Sequence, residues 1–327
     1  MTKNEKCPII SVIIPVYNAA QWLQACISSI QSSVSEHVNE VEILLVNDGS
    51  TDDSGRICDE YAVSYSNIHV FHKTNGGVAS ARTVGLEHAR GCYYAWVDPD
   101  DYVSTEWFPM ISKAIHQENP DVIVMDTLRV GDGPDKLEVY GRPAGNVDRD
   151  VFVADVVRDL RMLSGMPNKV MRSSLFEGVQ FDPNLPILED YAAILQILEF
   201  AKKVFYIPSC LYYYRQHGGS LLHCVSEQRA FQSVQIALER EKTVKPCFRG
   251  AAATAVAVQA LYFCRNHYLY PDYLSDKDKL RFCRTSVRKR LGIILGDPEV
   301  PKAWKLKFAL LAWDLYGLLI KIRKPSS

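Results

Sequence analysis

The chain has 327 residues, 47% hydrophobic and 23% charged, which excludes a disordered tail protein and allows a sizeable core without disulfides or a structural metal. Its formal charge is −1, yet Lys277–Ser327 carries 13 Lys and Arg against 4 Asp and Glu, so an acidic body ends in a basic segment suited to an anionic partner. Nine scattered cysteines with no Cys-x-x-Cys exclude a zinc ribbon of the usual spacing, argue against a disulfide scaffold and fit a reducing compartment.

After the polar Met1–Lys6, the short apolar run Ile9–Pro15 reads as a buried strand and not as a signal peptide. A helix is predicted over Ala19–Ile30, a strand over Val41–Asn47, a helix over Thr51–Ser64 and a strand over Ile68–His72. Gly77–Ala89 reads as a helix, Tyr93–Val97 as a strand, Trp107–His116 as a helix and Val122–Met125 as a strand. Strand–helix alternation with continuously apolar strands predicts an α/β fold, a parallel sheet covered on both faces. Ligands of such sheets bind outside the carboxyl ends of the strands.

The alternation weakens after Gly131. Gly131–Asp150, with six Gly or Pro, reads as a loop. Val151–Leu163 and Ala192–Ala201 read as helices, Val204–Ile207 and Cys210–Tyr214 as short strands, and the pattern is helical from Glu227 onward. The predicted organisation is an α/β domain over residues 1–220 and a helical C-terminal extension over 221–327. No stretch reaches the ~20 uninterrupted apolar residues of a spanning helix.

Four features stand at the expected rim. Pro15-Val16-Tyr17-Asn18 ends the first strand, and the Tyr17 ring either stacks on a nucleobase or packs on the next helix. Asn47-Asp48-Gly49-Ser50-Thr51-Asp52 ends the second; its Ser, Thr and Asp suit a helix cap, a role that leaves Asp48 over for a base or ribose. Gly76-Gly77 opens a helix whose first amides suit an anion, with Arg82 one turn in. Val97-Asp98-Pro99-Asp100-Asp101 crowds three carboxylates at a strand end, a repulsion that a hard divalent cation would relieve. The bland alternatives are an ordinary glycine helix start and a solvated acid cluster.

Together these segments resemble the family-2 glycosyltransferases. The match runs through Ser11–Asn18, Val46–Asp52, Asn75-Gly76-Gly77 with Ala81-Arg82, and Trp96–Asp101, and more weakly through Asn168-Lys169, Glu189-Asp190 and Tyr212–Arg215 with Ser220. The resemblance implies a GT-A fold, a Rossmann-like, mostly parallel sheet, and an inverting, metal-dependent transfer from a nucleotide-diphosphate sugar. It implies that Tyr17 and Asp48 meet the base, that Pro15 and Glu189 contact substrate, that Arg82 helps hold the donor, and that Asp98 touches ribose or metal. Asp100 would ligate Mn²⁺ or Mg²⁺, Asp190 would be the catalytic base with Glu189 beside it, and Arg215 and Ser220 would close over the pyrophosphate. Thr83, Pro99 and Leu188 depart from the common pattern. Read without the resemblance, Glu189-Asp190 is also an acid pair at a helix start, and His217 is a further metal ligand or a surface residue.

Lys302–Lys324 places Trp304, Phe308, Leu311, Leu315, Leu318, Leu319 and Ile322 on one helical face between basic residues. That pattern, with the basic run Lys277–Arg290, predicts a helix lying on an anionic membrane surface; the alternative is a helix docked on the core. The expected partners are a UDP-linked donor, a glycan or lipid-linked glycan acceptor and that membrane, with no nucleic acid, in a cytoplasmic, peripherally bound enzyme. Two other readings compete. A sugar-nucleotide pyrophosphorylase would want a Gly-rich loop after the first strand, and a non-catalytic binding module would not need Asp98, Asp100 and Asp190.

Overall fold

Ile10–Val16 (β1) and Val41–Asn47 (β2) are buried along their whole length, seven residues each, which requires cover on both sheet faces. The computed structural model describes residues 7–131, 134–160, 164–182, 185, 189–217, 226–269, 276–317 and 320. The chain forms two compact units, Met1–Val153 with Arg161–Gly218, and Ala154–Leu160 with Gly219–Ser327.

In the first unit, helices Ala20–Ser33 (α1), Ser54–Ser64 (α2) and Val78–His88 (α3) connect parallel strands. Ile68–His72 (β3) pairs with β2, and Tyr93–Trp96 (β4) with the other side of β1. Tyr17, Asp48 and Asp98 therefore follow the carboxyl ends of β1, β2 and β4 along one rim. The core beneath it joins aliphatic side chains of the strands, among them Val12, Ile14, Ile43 and Leu45, to Leu23, Ile27, Trp107 and Phe108 of the helices.

Beyond β4 the sheet becomes mixed. Tyr102–Val103 (β5), Trp107–Glu118 (α4), Val122–Gly131 (β6), Lys136–Glu138 (β7), Gly145–Val147 (β8), Arg149–Arg158 (α5), Lys169–Arg172 (β9), Glu189–Leu198 (α6) and Val204–Gln216 (β10) follow in order. The strand order is β3-β2-β1-β4-β9-β6-β10-β5, with β9 antiparallel to both of its neighbours. The segment predicted as a loop contains β7 and β8. Three residues are too few to show a period, and these strands take their conformation from their partners β6 and β10. The two short strands predicted after Lys203 are one strand, β10, whose register shifts between Ile207 and Cys210 and again before Tyr212. Pro208, which lacks an N–H, stands inside the first shift. Helix α6 begins at Glu189, three residues before the predicted start, so both acids occupy its first turn.

The second unit contains Glu227–Thr243 (α7), Arg249–Leu269 (α8), Lys277–Gly296 (α9) and Lys302–Ala312 (α10). Helix α8 is long and apolar enough, by length and composition, to cross a membrane, although the sequence shows no uninterrupted stretch; 78% of its most apolar window is buried, as in a core helix. Helix α10 ends at Ala312, short of the predicted Lys324, because Asp314 turns to the left-handed region at φ 62°. Phe308 and Leu311 pack in this unit's core with Leu280, Cys283 and Val287, and Trp304 packs against it. The core thus takes the predicted membrane face at these three residues. Leu306, Trp313 and Leu315 stay exposed, while Leu318, Leu319 and Ile322 lie in or beside segments outside the described residues. Much of the basic run is paired within the unit: Lys279 with Glu227, Arg284 with Asp314, and Arg290 with Glu241.

Candidate functional site

The first two turns of the rim are laced together. Asn18, at φ 47°, accepts the Thr51 amide at 2.8 Å, and the Ala19 and Ala20 amides reach Ser54 Oγ at 2.8 Å and Asp52 Oδ2 at 3.0 Å. Ser50, Thr51 and Asp52 thus bind the neighbouring turn, Asp52 also takes the Ser54 amide of its own helix at 3.0 Å, and the N-cap is Asp53, which makes no side-chain cap hydrogen bond. Pro15 is buried in β1 opposite Val46, while the Tyr17 ring is 51% exposed and therefore open to stacking.

Asp48 is buried, and it takes the amides that the sequence offered to an anion. Gly76 N donates to Oδ1 at 2.9 Å and Gly77 N to Oδ2 at 2.8 Å, and the Lys73 ammonium binds Oδ1 as well. A carboxylate has about four acceptor sites, so about one remains for a ligand N–H or O–H. Gly77, at φ 84°, holds a conformation that side chains disfavour, and this aims its N–H at Asp48. Lys73, at the end of β3, was not singled out by sequence reasoning; the strand-end rule that found Asp48 would have found it.

Arg82 lies 4% exposed and pairs with Glu189 Oε1, and its Nη2 is 3.6 Å from Asp98 Oδ1. Burial opposes the guanidinium charge, but Glu189, Asp190 and Asp98 hold its pKa above the usual arginine value. Burial pushes Glu189 up, partly offset by Arg82. Asp190 Oδ1 accepts the Tyr191 amide at 2.6 Å, and no hydrogen bond reaches Oδ2 among the described residues. The structure thus gathers Arg82, Asp98, Glu189 and Asp190 in one charged cluster, although 107 residues separate Arg82 from Glu189.

The three acids after β4 differ. Asp98 keeps a third of its side chain open to solvent, yet burial, Asp100 and Asp190 push it up to about 7 against the pull of Arg82. Asp100 Oδ2 meets His217 Nε2 at 3.0 Å. Asp101 is fully buried and accepts from Tyr212 Oη and from the Arg215 amide at 2.7 Å. It anchors β10 and does not face solvent with the other two. Among the described residues no group of three or more His, Cys, Asp or Glu is arranged to hold a metal ion.

Arg215 stands on β10. Its guanidinium carbon lies 4.4 Å from the Trp22 ring centre and 5.2 Å from that of Tyr102. Ser220 lies outside the described residues. Trp22 and Tyr102 had no sequence signal beyond being aromatic, and Tyr212 stood only in the weaker part of the resemblance, since only the fold brings α1, β5 and β10 together.

Residues 11–182 match the family model described as Glycosyl transferase family 2. The chain is 27% identical to an uncharacterized glycosyltransferase, EpsJ of Bacillus subtilis (strain 168), over 94% of this chain and 85% of that one. Residues 1–349 of S. aureus TarS, solved in complex with UDP-GlcNAc, superpose with a TM-score of 0.67 at 19% identity, covering 95% of this chain and 90% of that chain. The mannosyltransferase PcManGT from Pyrobaculum calidifontis, in complex with GDP-Man and Mn²⁺, gives a TM-score of 0.56 at 14% identity, over 100% and 90%. The fold is the GT-A fold that the sequence predicts, with a helical C-terminal region.

Proposed function

The chain belongs to glycosyl transferase family 2, and on that premise we propose that it moves a sugar from a UDP-linked donor to a hydroxyl of a glycan or lipid-linked glycan, inverting the anomeric carbon. The observation that carries this reading is the convergence of Arg82, Asp98, Glu189 and Asp190 in one charged cluster. The UDP-GlcNAc bound to the TarS neighbour supports the choice of nucleotide.

Tyr17 offers an open ring for the base, and Asp48 offers its remaining acceptor site to a ring N–H. Asp190 acts as the base through Oδ2. It takes the acceptor's proton as the acceptor oxygen bonds to the anomeric carbon and the bond to the diphosphate breaks. Glu189 stays with Arg82 and keeps that cation beside the reacting groups.

Mn²⁺ or Mg²⁺ fits the donor set. Asp98 and Asp100 supply hard oxygen ligands, and the crowding that pushes Asp98 up to about 7 is what a cation relieves. One or two carboxylates suffice when substrate phosphates complete the shell, so the want of a larger cluster is no obstacle. Such an ion, when bound, neutralises charge on the departing diphosphate. The exposed Leu306, Trp313 and Leu315 near Lys302 and Lys305 support a cytoplasmic enzyme held peripherally on the anionic inner face of the cell membrane.

The test is a thermal-shift series of UDP-sugars and GDP-mannose, with and without Mn²⁺, followed by donor hydrolysis. The UDP series should raise the melting temperature in the presence of Mn²⁺, since binding to the native state stabilises by mass action. A protein that ignores every nucleotide sugar and hydrolyses none would overturn the proposal.

A further inference from the structure

The parallel register of β2 and β3 sets Asn47 opposite His72, one residue before Asp48 on one strand and one before Lys73 on the other. Lys73 grips Asp48, and His72 grips Asn47. Asn47 is buried. Its Oδ1 accepts the Ser50 amide at 3.1 Å, which turns Nδ2 toward the His72 ring, 2.9 Å from Nδ1. Nδ2 can only donate, so Nδ1 is the acceptor and the ring hydrogen sits on Nε2. Nε2 then donates to Asp59 Oδ1 of α2 at 2.9 Å. At the inner end, the Asn18 amide donates to Ser50 Oγ at 3.1 Å.

Hydrogen bonds thus run in one direction, from Asn18 through Ser50, Asn47 and His72 to Asp59. Bonds aligned head to tail polarise and strengthen one another. The inner members flank the two residues offered to the base: Asn18 follows Tyr17, and Asn47 precedes Asp48. Helix α2 closes over the middle through Gly55, where a Cβ would stand 3.0 Å from Asn47 Nδ2 and 3.9 Å from His72 Cε1. The carboxamide therefore has little room to turn over. The outer end is open, with about half of the His72 side chain and more than half of that of Asp59 facing solvent. An exposed contact of this kind adds little to stability, so the pair matters chiefly through the acceptor it presents to Asn47.

We infer that His72 is a positioning residue for the donor's nucleobase. Asp59 holds its ring in the Nε2–H form, so that Nδ1 fixes the turn carrying Asp48 and, through Ser50 and Asn18, the segment carrying Tyr17. The inference rests on the glycosyltransferase reading and adds to it a control on base binding from outside the site. His72 acts through Asn47 and not on the reacting groups. Without its acceptor a buried amide N–H is left unsatisfied, and movement of the turn toward water relieves the penalty. The cost falls on nucleotide binding and spares the chemical step.

Three variants of the full chain test this at about pH 8, above the range in which histidine changes charge. His72→Leu removes the acceptor, His72→Asn restores one where Nδ1 stood, and His72→Lys offers only donors. Calorimetric titration with UDP and Mn²⁺ should show affinity lower by at least ~5-fold in His72→Leu and His72→Lys, and within ~2-fold of wild type in His72→Asn. In UDP-GlcNAc hydrolysis, KM should rise in the first two variants while kcat stays within ~2-fold. Nitrogen NMR of the imidazoles needs no donor: the signal lost in His72→Leu should be that of a ring protonated at Nε2 with a bare Nδ1. Unchanged UDP affinity in His72→Leu and His72→Lys would overturn the inference, and with a lowered melting temperature would make the chain of bonds merely structural. A loss that His72→Asn shares, a loss carried by kcat, or a ring protonated at Nδ1 would each overturn it as well. Failure of the transferase reading appears differently, as a wild-type protein that binds neither UDP nor UDP-GlcNAc although its His72 ring shows the expected signal, and it takes the positioning role with it.

Discussion

Tyr212 Oη donates to Asp101 Oδ2 at 2.5 Å across 111 residues of sequence. The same oxygen accepts the Asp98 amide at 3.2 Å. One hydroxyl thus ties the acid turn after β4 to β10. Burial, Asp98 and Asp100 push the Asp101 carboxyl well above the ordinary range, so the bond serves a group that does not favour its charged form there.

Tyr212→Phe removes that tie with little change of volume. It should cost about 1–3 kcal/mol in denaturant unfolding and weaken any Mn²⁺ effect on donor binding, because Asp98 loses an anchor. Unchanged stability would show that Asp101 holds β10 through the Arg215 amide alone.

Arg82 and Glu189 are both nearly buried, so removing one partner strands the other. Arg82→Met should destabilise by about 3–5 kcal/mol. Arg82→Met combined with Glu189→Gln should destabilise by less than the sum of the two single changes. Additive losses in a double-mutant cycle would show that the pair is not coupled.

Asp100→Asn and Asp190→Asn should fail in different ways. The first should lower transfer by about 10²–10³-fold and remove the stimulation by Mn²⁺. The second should lower turnover by about 10²–10⁴-fold while UDP-sugar binding stays near normal. Near-normal turnover in Asp190→Asn would move the base to Glu189, and full activity of the wild type in excess chelator would remove the metal from the mechanism.

Asp121 gives a pH test away from the cleft. Burial raises its pKa, but the Lys202 and Lys203 amides and the Arg172 guanidinium outweigh this and hold it below the usual range. Its folded pKa is therefore below its unfolded value, so its contribution is complete above about pH 4 and is lost as pH falls through the folded pKa. The stability difference between wild type and Asp121→Asn should be about 1.5–3 kcal/mol at pH 6 and shrink in acid. A difference independent of pH would contradict this assignment.

The two faces of α10 should separate. Phe308→Ala should cost about 3–5 kcal/mol, because it empties a core position of the second unit. Leu306→Glu combined with Trp313→Glu should leave the melting temperature nearly unchanged and reduce flotation with anionic liposomes. A wild-type chain that does not float would remove the membrane from the proposal.

The parallel strands and their helices were legible because each carries its own periodicity and its own strand-end residues. Strands β7, β8 and β9 were not, since three or four residues show no period and their conformation is set by distant partners. At the site, Asp98 and Asp190 could be named from local pattern and family resemblance. The division of labour among Asp98, Asp100 and Asp101 could not, because it depends on which of them Tyr212 and His217 reach. Of the apolar stripe only Trp304, Phe308 and Leu311 lie in α10, and sequence alone does not say whether protein or lipid covers such a face.

Asp48 has one more consequence. A turn that presents two backbone amides and a lysine ammonium would otherwise attract any small oxyanion in solution. Here the chain supplies its own carboxylate to those donors. Free phosphate therefore finds this corner already neutralised, and the rim is insulated there from competition by abundant cellular anions. Under the proposed function, selection among nucleotides at this end would fall to the flat ring of Tyr17 and to the acceptor site that Asp48 still holds open.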